Sequence, residues 1–235
     1  MSDLATWHRV AADEKADSIT QLAPPGVETI VEIGCGTGAV LEALDRRGFA
    51  RRYWGCEPTR ELYDAIPRKR IARLVDAEPV PFDQAFNGQS FDLGVLTHVA
   101  EHLRTPAVLL AEALSRCSYV LVEVPVEDNI AGRLRVGVKR VLGKSRLDNV
   151  PGHVQFFSRR TARALMNHAG GTVLNERAYF PMAPLAASAN RPYQQAVVKV
   201  GERSSFLGRR YYEHFAMVGA ATKFENWNGH YIAPL

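Results

Sequence analysis

The run Thr29-Ile30-Val31-Glu32-Ile33 leads without a break into Gly34-Cys35-Gly36-Thr37-Gly38, and a helical stretch from about Ala39 to Arg47 follows at once. Three alternate glycines in a strand-to-helix turn constrain this chain more than any other feature. They are costly in chain entropy, and what they permit is close approach of a ligand to a backbone whose helix N–H groups point at it. With Ala39 the stretch reads G-x-G-x-x-A as well as G-x-G-x-G, so a dinucleotide fingerprint and other adenosine-type cofactor loops both fit at this stage.

The rest of the chain repeats the same alternation of apolar strand and helix, which predicts an α/β fold with a parallel sheet covered by helices. Residues from about 4 to 22 read as a helix stopped by Pro24-Pro25-Gly26. Further strands are predicted at 52–56, 72–75, 91–96 and 119–124, with helices at 61–66 and 105–116 between them. Beyond Pro125 the rhythm breaks into a basic connection at 128–152, a helix at 158–169, a strand at 171–180, a 30-residue excursion and a last strand at about 214–222.

Acids stand where each early strand ends or begins. Glu32 lies two residues before the first glycine, Glu57 closes the second strand, Asp76-Ala77 closes the third and Phe91-Asp92 opens the fourth. A carboxylate after the second strand suits ribose hydroxyls, because it accepts two hydrogen bonds. Taken together, VEIGCGTGAVLEAL, WGCEP, LVDAEPVPF and FDLGVLTHVAEHL resemble a class I S-adenosylmethionine-dependent methyltransferase over roughly residues 28–170.

That resemblance implies a Rossmann-like, seven-stranded, mostly parallel sheet with helices on both faces, the last strand antiparallel, and a small acceptor cap. It implies that Glu32 with Gly34, Cys35, Gly36 and Gly38 holds the methionine end of the donor, Glu57 the ribose, and Asp76 with Ala77 the adenine, with Thr97 bordering the donor. On this reading residues 1–235 form one domain: a helical cover (1–27), a cofactor half (28–125), an acceptor half (126–210) and a last strand with its tail (211–235).

Strand ends at the carboxyl edge of an open α/β sheet face the ligand crevice, so His98-Val99-Ala100-Glu101-His102 is expected beside the methyl donor. A helix starting near Thr97 would bring His98, Glu101 and His102 to one side at i, i+3 and i+4 spacing. His153, in Pro151-Gly152-His153, is expected over the same crevice. The set resembles the Glu-x-x-Glu-His plus distant His constellation of small-RNA 2′-O-methyltransferases, and the similar segment of ubiquinone-biosynthesis O-methyltransferases, which implies Mg²⁺ or Mn²⁺ on Glu101, His102, His153 and His98. His98 replaces a glutamate of those families, and an imidazole suits a hard cation less well. Three readings stay open: metal ligands, a metal-free base at His153 or His98, and structural fixtures of a helix start.

Methyl transfer from a sulfonium needs alignment above all, whereas a hydroxyl acceptor must also lose a proton. Histidines in the crevice therefore favour O-methylation of a small hydroxylated acceptor, such as a sugar, phenol or other secondary metabolite, with N- or C-methylation as the rival. The Asn- or Asp-Pro-Pro-aromatic motif of base methylases is replaced by Thr97-His98-Val99-Ala100, and a formal charge of +4 implies no nucleic-acid partner. A nicotinamide oxidoreductase would need a Tyr-x-x-x-Lys pair, which no tyrosine provides, and a non-catalytic cofactor-binding subunit would have no use for the intact glycine loop with Glu57.

Between Asn129 and Arg146 six basic residues interleave with apolar ones and no acid intervenes. This amphipathic segment suits a lid over an anionic or lipid-linked acceptor, a peripheral membrane contact or a solvated cap helix. The tail Phe224–Leu235 suits sheet-edge packing, a homodimer contact or the acceptor pocket. His168, His214 and His230 suggest no role. Acids among the first eighteen residues and three dispersed cysteines, Cys35, Cys56 and Cys117, point to a reducing, cytoplasmic setting.

Overall fold

The computed structural model of the chain describes residues 2–126, 152–181 and 213–222, with Lys199, Arg203 and Ser204, and side chains from Val10 onward. The basic connection, most of the second cap segment and the aromatic tail lie outside the described residues.

Seven strands form one sheet in the order β3-β2-β1-β4-β5-β7-β6. They are β1 (Thr29–Ile33), β2 (Arg52–Cys56), β3 (Leu74–Glu78), β4 (Phe91–Thr97), β5 (Cys117–Val126), β6 (Gly171–Tyr179) and β7 (Glu213–Ala221). The first five pair in parallel, and β7 slots antiparallel between β5 and β6. This is the expected seven-stranded sheet with its reversed last strand.

The α-helices named among the described residues are α1 (Ser2–Leu22), α2 (Ala39–Arg46), α3 (Arg60–Asp64), α4 (Pro106–Arg116) and α5 (Arg159–His168). Pro106 occupies the first turn of α4, where its fixed φ is preorganised and its missing N–H has no partner to lose. Ser158 and Thr161 cap α5 reciprocally, each side chain bonding the other's main-chain N–H.

Alternation along the strands sends side chains to two cores. Ile30, Leu93, Val95, Leu121, Ala216 and Val218 pack with α1 and α2, whereas Val31, Leu96, Val120, Val122, Phe215 and Met217 pack with α4 and α5. The same parity places Glu32, Thr97, Glu123 and His214 on the α1 face, at the carboxyl edge of the parallel strands. At the opposite edge Asp92 is a clamp: Oδ2 accepts the main-chain N–H of Glu28 and Thr29 and the Thr29 hydroxyl, tying β4 to β1.

Two boundaries differ from the sequence reading. β3 runs two residues later than expected and carries Asp76 and Ala77 within it. The segment after Thr97 is not a helix start: His98 takes a left-handed conformation (φ 59°), and a short 3₁₀ turn follows at Ala100–His102. Few non-glycine residues adopt such a conformation, histidine more readily than most.

Candidate active site

A cavity of about 960 Å³ opens at the carboxyl ends of β1, β2 and β4, with Ala11, Ala12 and Lys15 of α1 along its wall. Its size falls at the upper end of ligand sites of about 300–1,000 Å³, enough for two small molecules side by side.

The glycine loop forms one wall. The N–H groups of Gly34 and Cys35 both donate to the Cys56 carbonyl, at 2.8 and 3.0 Å, so β2 fixes the turn. Gly34 (φ 72°) has no room for a Cβ, which would stand 2.7 Å from Val99 Cγ2. Gly36 (φ 54°) is different: a Cβ there would meet no protein atom within 4 Å, because the loop faces the cavity. Gly38 (φ 72°) starts α2 and turns toward Ile66 and Ile71. Cys35 fills the space left by the missing Cβ of Gly55, and burial, with Glu32 nearby, holds its thiol protonated.

Glu57 is buried and bridges the loop to the start of α3: Oε2 accepts the Gly36 N–H at 2.9 Å and Oε1 the Thr59 N–H at 2.8 Å. Glu32 is also buried and borders the cavity. Its Oε1 lies 3.5 Å from the Thr97 hydroxyl, and Oε2 has no hydrogen-bond partner among the described residues. Burial pushes its carboxyl up to about 8, with Lys15 pulling the other way. An unpartnered carboxyl oxygen in a cavity wall is suited to a cation such as an ammonium group.

Asp76 and Ala77 do not border the cavity. Because β3 is shifted, Asp76 is exposed and accepts the N–H of Ala77, which itself packs among the α1–α2 core. Pro81, Phe82 and Asp83 of the following turn take their place in the wall. Arg116 holds that turn from behind, donating to the carbonyls of Phe82 (2.7 Å), Ala85 (2.9 Å) and Gln89 (3.2 Å) and stacking on the Phe82 ring.

The proposed metal set divides in two. His98 turns inward: Nδ1 lies 3.1 Å from Glu101 Oε1, and Nε2 lies 3.5 Å from Glu123 Oε1 and 3.4 Å from His214 Nδ1. Tyr179 completes this group, its hydroxyl donating to Glu123 Oε1 at 2.9 Å. His102 also borders the cavity, with Nδ1 3.0 Å from the Gly152 carbonyl and its ring 4.8 Å from that of His153 at nearly right angles, and Glu101, His102 and His153 bring one ligand atom each within 4.8 Å of one another. Glu101 lies between the groups, fully buried, with both its side-chain oxygens lacking a well-formed hydrogen bond.

Electrostatics follow from this arrangement. Burial works against charge on His98, yet Glu101 and Glu123 outweigh it and lift its pKa above the ordinary histidine value. Burial likewise opposes ionisation of Glu123, and His214 and His98 overcome it, holding the carboxyl well below the usual range. His214 is pushed down to about 4 by burial and by His98. Burial also lowers His153. The sequence reading missed Glu123, His214, Tyr179 and Lys15; a lone acid inside the apolar run Tyr119–Val124 was the available signal.

Comparison with known proteins places this geometry. A family model described as a methyltransferase domain matches residues 6–176. The chain belongs to the methyltransferase-domain family. This methyltransferase is an S-adenosylmethionine-dependent enzyme, and the glycine loop, Glu57 and the unpartnered Glu32 oxygen fit that donor. No curated relative matches it in sequence.

Solved structures share the methyltransferase's fold at low identity. The methyltransferase bound to the Trm112 activator of Haloferax volcanii is 17% identical, with a TM-score of 0.65 over 94% of this chain and 92% of that one. A Thermotoga maritima S-adenosylmethionine-dependent methyltransferase is 18% identical, with a TM-score of 0.57 over 92% and 91%. The O-methyltransferase of a Brevibacillus brevis polyketide synthase, solved with S-adenosylhomocysteine, is 12% identical, with a TM-score of 0.56 over 89% and 71%. Among the described residues no helix is long and apolar enough to cross a membrane.

Proposed function

We propose that this methyltransferase acts on a hydroxyl group of a small molecule, a sugar, phenol or other secondary metabolite, with His98 as the base. The observation that carries the reading is the place of His98: an imidazole in the cavity wall, backed on both ring nitrogens by the carboxylates of Glu101 and Glu123.

The donor, when bound, supplies a methyl carbon on a sulfonium sulfur, an electrophile that needs no further activation. The protein's part is to hold and align it. Backbone of the Gly34–Gly38 loop and the Glu32 carboxyl serve the methionine end, Glu57 serves the ribose, and α1 keeps bulk water from the reacting pair. An amine acceptor would need only to be neutral, whereas a hydroxyl must give up a proton as its oxygen becomes the nucleophile. His98 takes that proton on Nε2 once this nitrogen turns from Glu123 Oε1 toward the cavity, and Glu101 beside Nδ1 stabilises the imidazolium that results, as a buried acid does for the histidine of a catalytic triad. The left-handed backbone of His98, anchored by its N–H to the Glu123 carbonyl at 3.0 Å, fixes the ring at the strand end.

The test is a panel of phenols and sugars set against matched amines, with methyl-labelled donor. Hydroxyl acceptors are expected to be methylated, and His98→Gln is expected to lower kcat by about 10²–10⁴-fold, the usual contribution of a positioned base, with S-adenosylhomocysteine affinity unchanged. Preferential methylation of the amines, or full activity of His98→Gln on the hydroxyl acceptor, would overturn the reading.

A further inference from the structure

We infer that His98, His214 and Glu123 form a binding site for a transition-metal dication, best suited to Zn²⁺, at the inner end of the donor cavity. Three side chains from the ends of three strands bring one ligand atom each to a common point. His98 Nε2 and His214 Nδ1 are 3.4 Å apart, and each is 3.5 Å from Glu123 Oε1. A point equidistant from the three atoms lies about 2.0 Å from each, close to the Zn–N and Zn–O separations of about 2.0–2.2 Å found in protein sites.

The surroundings are those a metal site needs. Glu101 Oε1 lies 3.1 Å from His98 Nδ1, near enough to accept that ring's N–H after a small turn of the ring, which leaves the Nε2 lone pair for the ion. The Tyr179 hydroxyl donates to Glu123 Oε1, orienting the carboxylate, and lies 3.2 Å from His214 Nδ1, a contact the ion replaces as the His214 ring takes the tautomer with its proton on Nε2, while Glu123 Oε2 has no hydrogen-bond partner among the described residues. Glu123 and His214 are buried, and His98 alone of the three borders the cavity, so an ion enters from the donor side and has its open coordination position there.

Two imidazoles and one carboxylate favour a borderline ion over Mg²⁺. Two buried carboxylates, Glu101 and Glu123, attract a cation, and Lys15, facing the group from α1, opposes it with a single charge. The ring centres of His98 and His214 are 4.4 Å apart, and an ion with both lone pairs aimed at it would hold them about 5 Å apart at such bond lengths. Occupancy is therefore expected to swing the His98 ring outward. Ion and acceptor proton compete for one lone pair, so Zn²⁺ is expected to inhibit turnover; this consequence, unlike the binding itself, rests on the hydroxyl reading above.

The experiment uses the full chain, stripped with EDTA and titrated with Co²⁺ in the absence of any acceptor, followed by its visible ligand-field bands and by displacement with Zn²⁺. One equivalent is expected to bind in a four- or five-coordinate spectrum. His214→Gln and Glu123→Gln are each expected to weaken binding by about 100-fold or more, since a direct ligand is worth at least as much as an outer-shell partner. His153→Ala is expected to bind as the parent does, and S-adenosylhomocysteine binding checks that each variant is folded. The inference is overturned if no saturable binding occurs, if affinity survives in folded His214→Gln and Glu123→Gln, or if it is lost in His153→Ala, which would place the ion on Glu101, His102 and His153 instead.

Discussion

Glu123 holds His98 twice: its carbonyl oxygen accepts the His98 main-chain N–H at 3.0 Å, and its carboxylate stands 3.5 Å from the same residue's Nε2. One residue of β5 thus sets both the strained backbone and the ring of the imidazole in the cavity wall. Glu123→Gln keeps the main-chain bond and removes the charge. Expected is a fall in kcat of about 10–100-fold, the share of a base's efficiency that its stabilising partner supplies, with KM for the donor unchanged. Steady-state kinetics separate the two parameters; a rise in donor KM with kcat intact would mean that Glu123 serves donor binding.

Gly36 and Gly38 both have positive φ, yet they face different things. Gly36→Ala is expected to cost only the strain of a left-handed alanine, about 1–2 kcal/mol, while donor affinity falls at least about tenfold as the new methyl enters the cavity. Gly38→Ala places its Cβ 3.1 Å from Ile66 Cγ2 and is expected to lower the melting temperature with little effect on donor affinity. Calorimetric titration with S-adenosylhomocysteine alongside thermal melts distinguishes the pair, and equal binding losses in both would contradict the assignment.

Glu32 provides a pH dependence. Its carboxyl rises from 4.5 to about 8 on folding, so the folded chain binds a proton that the unfolded chain releases between those values. Its contribution to stability is therefore fully present below pH 4.5 and is lost as pH rises through about 8, at up to about 1.4 kcal/mol per pH unit. Denaturation of Glu32→Gln across this range is expected to lack that component. A cationic ligand beside Glu32 favours its ionised form, so S-adenosylhomocysteine, through its ammonium group, is expected to release close to one proton on binding at pH 7. Titrations in buffers of different ionisation enthalpy measure this, and proton release undiminished in Glu32→Gln would remove Glu32 from the account.

Arg116 supports the cavity without touching it. Its guanidinium fills three carbonyls of the turn that carries Phe82 and Asp83. Arg116→Met leaves the Phe82 carbonyl only the Ala85 N–H and removes the donor to the Ala85 and Gln89 carbonyls, and is expected to cost about 3 kcal/mol in urea denaturation, with weaker donor binding because Phe82 loses its backing. Arg116→Lys restores one charge but not the planar fork, and an intermediate loss is expected.

The cavity wall formed by the glycine loop, Glu57 and Thr97 could be read from sequence because its determinants are local. Gly34 to Gly38, Glu57 and Thr97 each sit where a strand ends, and strand ends are marked by glycine, proline and a change of periodicity. Asp76 shows the limit of such marks: β3 runs two residues later than expected, so Asp76 stands within the strand, exposed and outside the cavity lining. The inner cluster had no such marks. His98 and His214 are 116 residues apart and meet because β7 enters the sheet antiparallel beside β5, a register that alternation alone does not specify. His98 in a left-handed turn, rather than at a helix start, directs its ring to Glu123 and His214, while Glu101, His102 and His153 stay together.

The position of β7 in the sheet also sets an order of events. The donor cavity is built from β1, β2, β4 and α1, all made early in synthesis, whereas His214 arrives only when β7 inserts between β5 and β6. Such a long-range pairing forms slowly, after nearer contacts are in place. A nascent or partly refolded chain is therefore expected to assemble the cavity wall of β1, β2, β4 and α1 before Glu123 and Tyr179 acquire His214, so the inner cluster is the last part of this region to form.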